Sequence, residues 1–247
     1  MTDGTVHRYP TDDAVAGHVA DRVLDLLESA QAARDDVSVV LTGGSIARKV
    51  HAAIAGHPHR DRVDWSTVSF WWGDERYVPS DDPERNAGQA WEDLLQHLPL
   101  DPERVHAMPA EDDEYADADA AAWEHGQELR ASMPDPDSPW FDVLMLGIGP
   151  DGHCASLFPD HPEVESEADV LAVHDSPKPP PTRISMGMPA LQRARHVLFV
   201  AASEEKADAV ARSVRGDDVT RTPAAGPRGT RTTEWYLDEA AASKLGG

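Results

Sequence analysis

The apolar run Phe141-Asp142-Val143-Leu144-Met145-Leu146 ends in Gly147-Ile148-Gly149-Pro150-Asp151-Gly152-His153, a histidine behind three glycines. An imidazole is the natural general base near neutral pH, and Asp151 stands two residues before it. Among the twelve histidines it alone has this setting: His57 and His59 flank a proline, and His161 and His174 have no glycine framework. A second turn, Thr42-Gly43-Gly44-Ser45, follows the β-branched run Val37 to Leu41. Its glycines let the backbone approach an anion, and a helix beginning there presents free N–H groups and a positive dipole end. It has neither a Walker ending nor a GxGxxG pattern, so by itself it reads equally as a structural turn. A third turn, Gly73-Asp74-Glu75-Arg76, closes the run Val68 to Trp72 and serves either a site or a surface ion pair. Arg183 and Lys206 add two cations near the starts of later elements. The chemistry these residues outline is general-base catalysis beside a bound anion.

Positioning such turns requires strands before them and helices after them. The stripe Val15, Val19, Val23, Leu26, Leu27 and Ala30 has helical spacing, with Thr11, Asp12 and Asp13 as capping candidates. Strands are expected over Val37 to Leu41, Val68 to Trp72, Phe141 to Leu146, Val170 to Val173 and His196 to Ala202. The third of these is entered through a turn at Pro134, Pro136 and Pro139. Helices are expected through Ala47, Val50 and Ile54, from Asn86 to His97, around Trp123, and from Ser203 as cap into Glu204-Glu205-Lys206. Lys178-Pro179-Pro180-Pro181 must be an extended loop. This alternation predicts an α/β fold, a mainly parallel twisted sheet covered by helices on both faces and Rossmann-like, in a single domain over 1–247. In such sheets the ligand lies beyond the carboxyl ends of the strands, where all these turns fall.

Composition narrows the partners. The chain of 247 residues carries 45 acidic and 22 basic side chains, a formal net charge of −23, with 40% hydrophobic and 27% charged residues. That is a globular composition whose surface repels nucleic acid and anionic lipid. An anionic substrate must therefore find its few cations gathered locally. The lone cysteine, Cys154, excludes an internal disulfide and an unaided zinc site. Glu111 to Asp119 holds six acidic residues in nine positions and reads as a solvated face of the helix leading to Trp123 rather than a metal site. Neither a leader at MTDGTVHRYP nor an apolar run of the ~18 residues a span requires is present, so a cytoplasmic protein is expected.

The stretch from Phe141 through His153 to Cys154-Ala155-Ser156-Leu157-Phe158-Pro159 resembles the signature of the 6-phosphogluconolactonase family, within the glucosamine/galactosamine-6-phosphate isomerase superfamily. So does Phe70-Trp71-Trp72-Gly73-Asp74-Glu75-Arg76-Tyr77-Val78-Pro79, followed by Asn86. Pro180-Pro181-Thr182-Arg183-Ile184-Ser185 and Trp235-Tyr236-Leu237-Asp238 resemble two further family segments, and the likeness runs from about Thr11 to Ala241. Two departures stand out. The family's Ser-Gly-Gly-Ser-Thr-Pro-Lys is Thr42-Gly43-Gly44-Ser45-Ile46-Ala47-Arg48 here, and Cys154 replaces its threonine.

The resemblance implies hydrolysis of 6-phosphoglucono-δ-lactone to 6-phosphogluconate in the oxidative pentose phosphate pathway, with no metal or organic cofactor. It makes His153 the base that activates water, Asp151 or Asp74 its orienting carboxylate, and Arg76 a stabiliser of the oxyanion or a prop for the loop. Gly43, Gly44, Ser45, Gly149, Arg183 and Lys206 would hold the substrate. Arg48, which keeps the charge of the family's lysine with a different geometry, joins these substrate-binding candidates. The expected partner is a small phosphosugar lactone, and a monomer is compatible with the sequence. Two alternatives stay open: a glucosamine-6-phosphate deaminase, which the Ser156-Leu157-Phe158-Pro159 continuation disfavours, and a catalytically silent sugar-phosphate sensor. A nucleophilic Cys154 paired with His153 is a further rival, needing an orienting partner for its base.

Overall fold

The computed structural model describes residues 4–133, 135 and 138–246. Six parallel strands form the central sheet: β1 (Thr5–Tyr9), β2 (Val37–Leu41), β3 (Val68–Trp72), β5 (Phe141–Leu146), β8 (Ala194–Ala201) and β9 (Thr232–Asp238). Their order is β1-β9-β8-β5-β2-β3. Successive strand residues point to opposite faces. Val39, Leu41, Val143, Met145, Leu198 and Val200 join one core, under α1 (Asp12–Gln31) and α2 (Ser45–Ala55). Val40, Leu144, Leu146, Val197 and Phe199 join the other, under α4 (Ala118–Ser132) and α6 (Ala207–Val214). Burial on both faces is why β2 and β5 are apolar at every position except Ser38 and Asp142, with no alternation. From β2 the chain passes to β3 on one side, whereas β5, β8 and β9 lie on the other. The order therefore reverses between β2 and β5, where ligands of open α/β sheets bind.

Several local expectations hold. Thr11 caps α1, its hydroxyl accepting from Ala14 N at 3.2 Å, and α2 ends at Gly56. Others are corrected. Val170–Val173 (β6) lies outside the main sheet, in a three-stranded antiparallel sheet with β4 (Asp74–Arg76) and β7 (Arg183–Met186), ordered β4-β7-β6. The helix from Asn86 (α3) stops at Asp93, because Leu94 leaves helical geometry at φ −138° before a single 3-10 turn over Leu95–His97. Ser203 makes no side-chain cap: its φ is +90°, and its backbone N–H donates to the Asp238 carboxylate at 3.1 and 3.2 Å. The acidic stretch is mostly a loop, in which Asp112 accepts from Ser80, Asp113 from Ala110 N, and Asp117 caps α4. β1 and β9 join the expected strands, and α5 (Met188–Leu191) is one short turn. Pro134 and Pro136 lie outside the described residues; Pro139 leads into β5.

One buried side chain gives the fold an acid limb. His51, on the buried face of α2, has neither ring nitrogen hydrogen-bonded among the described residues. Burial pushes its pKa down to about 4, with Asp93 opposing and Arg48 adding to the shift. An unfolded histidine titrates near ~6.5, so between these values the unfolded chain binds the extra proton. The stability that neutral His51 permits is thus complete above about pH 6.5 and declines as pH falls toward 4. Between pH 7.5 and 5 the loss is about 2 kcal/mol, and His51→Leu should remove it. Denaturant midpoints at both pH values check this; an unchanged pH dependence in His51→Leu would exclude His51 as the source.

Candidate active site

The carboxyl ends of β2, β5 and β8 open on a cleft of about 360 Å³. The turn after β5 wraps onto itself: Gly149 N donates to His153 O and Gly152 N to Gly149 O, both at 3.0 Å. Gly152 takes φ +104°, a conformation glycine accepts without strain. Within this turn His153 Nδ1 lies 2.6 Å from Asp151 Oδ1, which also accepts from His153 N at 3.2 Å. Burial raises the Asp151 carboxyl, but the hydrogen bond and charge of His153, with Lys178 nearby, hold it well below the usual range. An anionic Asp151 makes Nδ1 the protonated nitrogen and leaves Nε2 with its lone pair, having no protein partner among the described residues. The ring leans on Phe158, centroids 4.7 Å apart. Behind the turn, Arg212 Nη2 donates to Asp151 O at 2.8 Å. Gly149 faces the pair so closely that a Cβ there would stand 2.0 Å from His153 Nδ1.

The opposite wall depends on a buried acid. Glu75 accepts from Arg76 N at 2.8 Å and from Asn86 N and Ala87 N, at 2.7 and 2.8 Å, so it caps α3 from a distance. Burial raises its pKa, with Arg85 and these N–H groups opposing. The cap seats Asn86 against the second glycine turn, where a Cβ on Gly43 would lie 1.9 Å from Asn86 Oδ1. Gly44 adopts φ +98°, and Ser45 opens α2 with its N-terminus toward the cleft.

Four cations line this space: Arg76, Lys178, Arg183 and Lys206. Arg76 Nη1 donates to Asn86 Oδ1 at 2.9 Å and to Glu84 O. Arg183 donates to the carbonyls of Lys178, Pro179 and Pro180 at 3.2–3.3 Å, so it chiefly shapes the loop that carries Lys178. Lys178 Nζ reaches 3.5 Å from His153 Nδ1. Burial pushes the Lys206 ammonium down and Lys178 adds to that, while Glu205 and Asp238 offset part. The carboxylate of Asp238 fixes Ser203 N and Ala241 N, which anchors the segment leading to Lys206.

The expected residues do not all converge. Asp151, not Asp74, meets the imidazole: Asp74 is buried, its Oδ2 accepting from Ser156 Oγ at 2.6 Å with Arg183 Nη1 4.0 Å away. Arg48 leaves the cleft altogether and pairs with Asp93 at 2.6 Å on α3. Cys154 is wholly buried and burial pushes its thiol up, the reverse of what a nucleophile requires. Lys178, Asn86 and Arg212 went unassigned in the sequence; for Lys178 the available signal was one of only four lysines ahead of a triple proline.

Comparison with known proteins gives the family and the fold. The family described as glucosamine-6-phosphate isomerases/6-phosphogluconolactonase matches residues 10–235. A 6-phosphogluconolactonase of Streptomyces coelicolor is 52% identical, over 97% of this chain and 93% of its own. The human 6-phosphogluconolactonase is 38% identical, over 94% and 88%. The crystal structure of 6-phosphogluconolactonase from Thermotoga maritima superposes with a TM-score of 0.83 at 25% identity, covering 95% of this chain and 99% of that one. A monomeric glucosamine-6-phosphate deaminase shares the fold, with a TM-score of 0.78 at 20% identity over 97% and 99%. With a glycine-framed Asp–His pair facing cations across the sheet's switch point, and relatives matching nearly end to end, the chain belongs to the glucosamine-6-phosphate isomerase/6-phosphogluconolactonase family.

Proposed function

We propose that this cleft hydrolyses 6-phospho-D-glucono-1,5-lactone to 6-phosphogluconate, with His153 as general base. The observation that carries the reading is the 2.6 Å contact between Asp151 and His153 Nδ1, which leaves Nε2 free to accept a proton. A lactone is an activated ester, so one base and one positioned water suffice. His153 Nε2 takes a proton from water as its oxygen attacks the carbonyl carbon. The tetrahedral oxyanion collapses with cleavage of the bond to the ring oxygen, which receives that proton back. Arg76, which lines the cleft, is the candidate to stabilise the oxyanion. Gly43, Gly44 and Ser45 at the start of α2 would cradle the phosphate. Lys206, whose charge is desolvated, supplies the cation a dianion would restore. The deaminase alternative has the shared family match and a fold at 20% identity behind it, against lactonase relatives at 38% and 52%, and a silent sensor would have no use for a paired imidazole.

The direct test generates the lactone in situ with glucose-6-phosphate dehydrogenase and follows its loss above the spontaneous rate. No enzymatic excess from folded protein would refute the reading, and ammonia release from glucosamine 6-phosphate would replace it with the deaminase. Two substitutions then separate phosphate recognition from loop support. A charge-assisted contact is worth about 1.5–3 kcal/mol, so Lys206→Ala should raise KM for the phosphorylated lactone roughly 10- to 150-fold and spare gluconolactone. Arg183→Ala should impair both lactones alike, because its hydrogen bonds go to the 178–180 carbonyls. Equal losses on both lactones in Lys206→Ala would remove Lys206 from phosphate binding.

A further inference from the structure

We propose that the amino-terminal edge of the central sheet, opposite the catalytic cleft, is a second binding site, taking a small polyanion of the phosphate class such as a pyrophosphate group. A cavity of about 340 Å³ opens there, and Arg22, Arg34, Arg195, His196 and Arg231 line it with Asp142. Arg34 lies between α1 and β2, Asp142 and Arg195 are second residues of β5 and β8, and Arg231 directly precedes β9. Strand pairing brings the last two together, Arg231 N donating to Arg195 O at 2.9 Å. The cavity is thus built by the start of the sheet, roughly 15–20 Å from the cleft at ~3.3 Å per strand residue.

Its charges do not cancel. Arg22 is neutralised by Glu234 at 2.7 Å. Arg34 and Arg195 both turn to Asp142 Oδ1, Arg195 Nε at 3.3 Å, while Asp142 Oδ2 accepts from Ser38 N at 3.0 Å. That carboxylate already holds three donors. Arg231 is exposed and its guanidinium has no ion-pair partner among the described residues. Two guanidiniums therefore share one carboxylate and a third, on Arg231, stays unpaired among the described residues, in a chain with 45 acidic residues to 22 basic ones. Crowded like charges cost free energy that a bound anion removes, and guanidinium forks match phosphate oxygens in geometry. Burial lowers Arg34, and Arg195 and Arg231 lower it further; His196 is lowered by burial and then by Arg22. Small residues at the end of α1 and just past it, Ser29, Ala30 and Ala33, leave room above the arginines. The inference does not depend on the reaction in the cleft.

Inorganic pyrophosphate is the probe, titrated at constant ionic strength into the full chain and followed by calorimetry. The Lys206→Ala background suppresses binding in the cleft. One saturable event is expected there, and adding Arg231→Gln should weaken it roughly 10- to 100-fold. Arg231 is exposed, so its substitution leaves the fold intact. Absence of saturable heat in Lys206→Ala, or the same affinity after Arg231→Gln is added, overturns the site.

Discussion

Replacing His153 by alanine should lower kcat on the phosphorylated lactone by roughly 100- to 10,000-fold, the range a positioned general base contributes. KM should change little, because Lys206, Arg76 and the Gly43-Gly44-Ser45 turn sit on other segments of the cleft. His153→Gln is the sharper variant: its amide can still meet the Asp151 carboxylate, yet it accepts no proton from water. Losses of similar size in both variants would locate the effect in proton transfer. The kcat/KM profile supplies a readout that a structural role would not move. If His153 is the base, the acid limb of the native profile disappears in His153→Gln. Spontaneous lactone hydrolysis rises with pH, so the limb is read from the enzymatic excess. A folded His153→Ala protein with near-normal kcat would falsify the assignment, and Asp151 would become the candidate base.

Four strands of the main sheet were legible because strands buried on both faces are apolar at nearly every position, as Val37–Leu41 and Phe141–Leu146 are apart from Ser38 and Asp142; β1 and β9 were missed. The second sheet was not legible. β4 has three residues, all of them charged in type and two of them buried, and β7 follows a proline run by one residue. Their pairing, Asp74 opposite Ser185 and Arg76 opposite Arg183, joins positions about a hundred residues apart that no local pattern links. The same distance in sequence hid the choice between the two carboxylates. Both stand near glycines, but Ser156 claims Asp74 from 82 residues away, and only Asp151 is left for the imidazole. Arg48 misled for the converse reason. Its place just after the Gly43-Gly44-Ser45 turn put it near the anion site in sequence, whereas the helical rotation of α2 carries its side chain to Asp93 on α3. Charge followed a simpler rule. A chain at −23 needs its cations gathered to hold an anion, and the cleft gathers four.

Gly149→Ala should abolish most of the activity while leaving the fold standing. The added Cβ would lie 2.0 Å from His153 Nδ1, 2.1 Å from its Cε1 and 2.4 Å from Asp151 Oδ1, none of which a real methyl tolerates. All three are side-chain atoms at the edge of the cleft, so relief comes by swinging the imidazole and carboxylate away rather than by moving backbone. Neither the strands nor the two cores are touched. The cost to stability is then chiefly the hydrogen bond between the pair, about 1–3 kcal/mol for one with a charged partner. The cost to catalysis is larger, since a misplacement of about 1 Å in a positioned group can lower the rate 10²-fold. The expectation is a fall in kcat of about 100-fold or more, an unchanged far-UV spectrum and nearly native pyrophosphate binding at the opposite edge. Gly44→Ala is the instructive contrast: φ is +98° there but no atom lies within 4 Å, so strain falls on the backbone and the dyad is undisturbed. That variant should lose stability and phosphate affinity before it loses kcat. If Gly149→Ala kept native kcat, the position of the Asp151–His153 pair against Gly149 would have to be incidental to the chemistry.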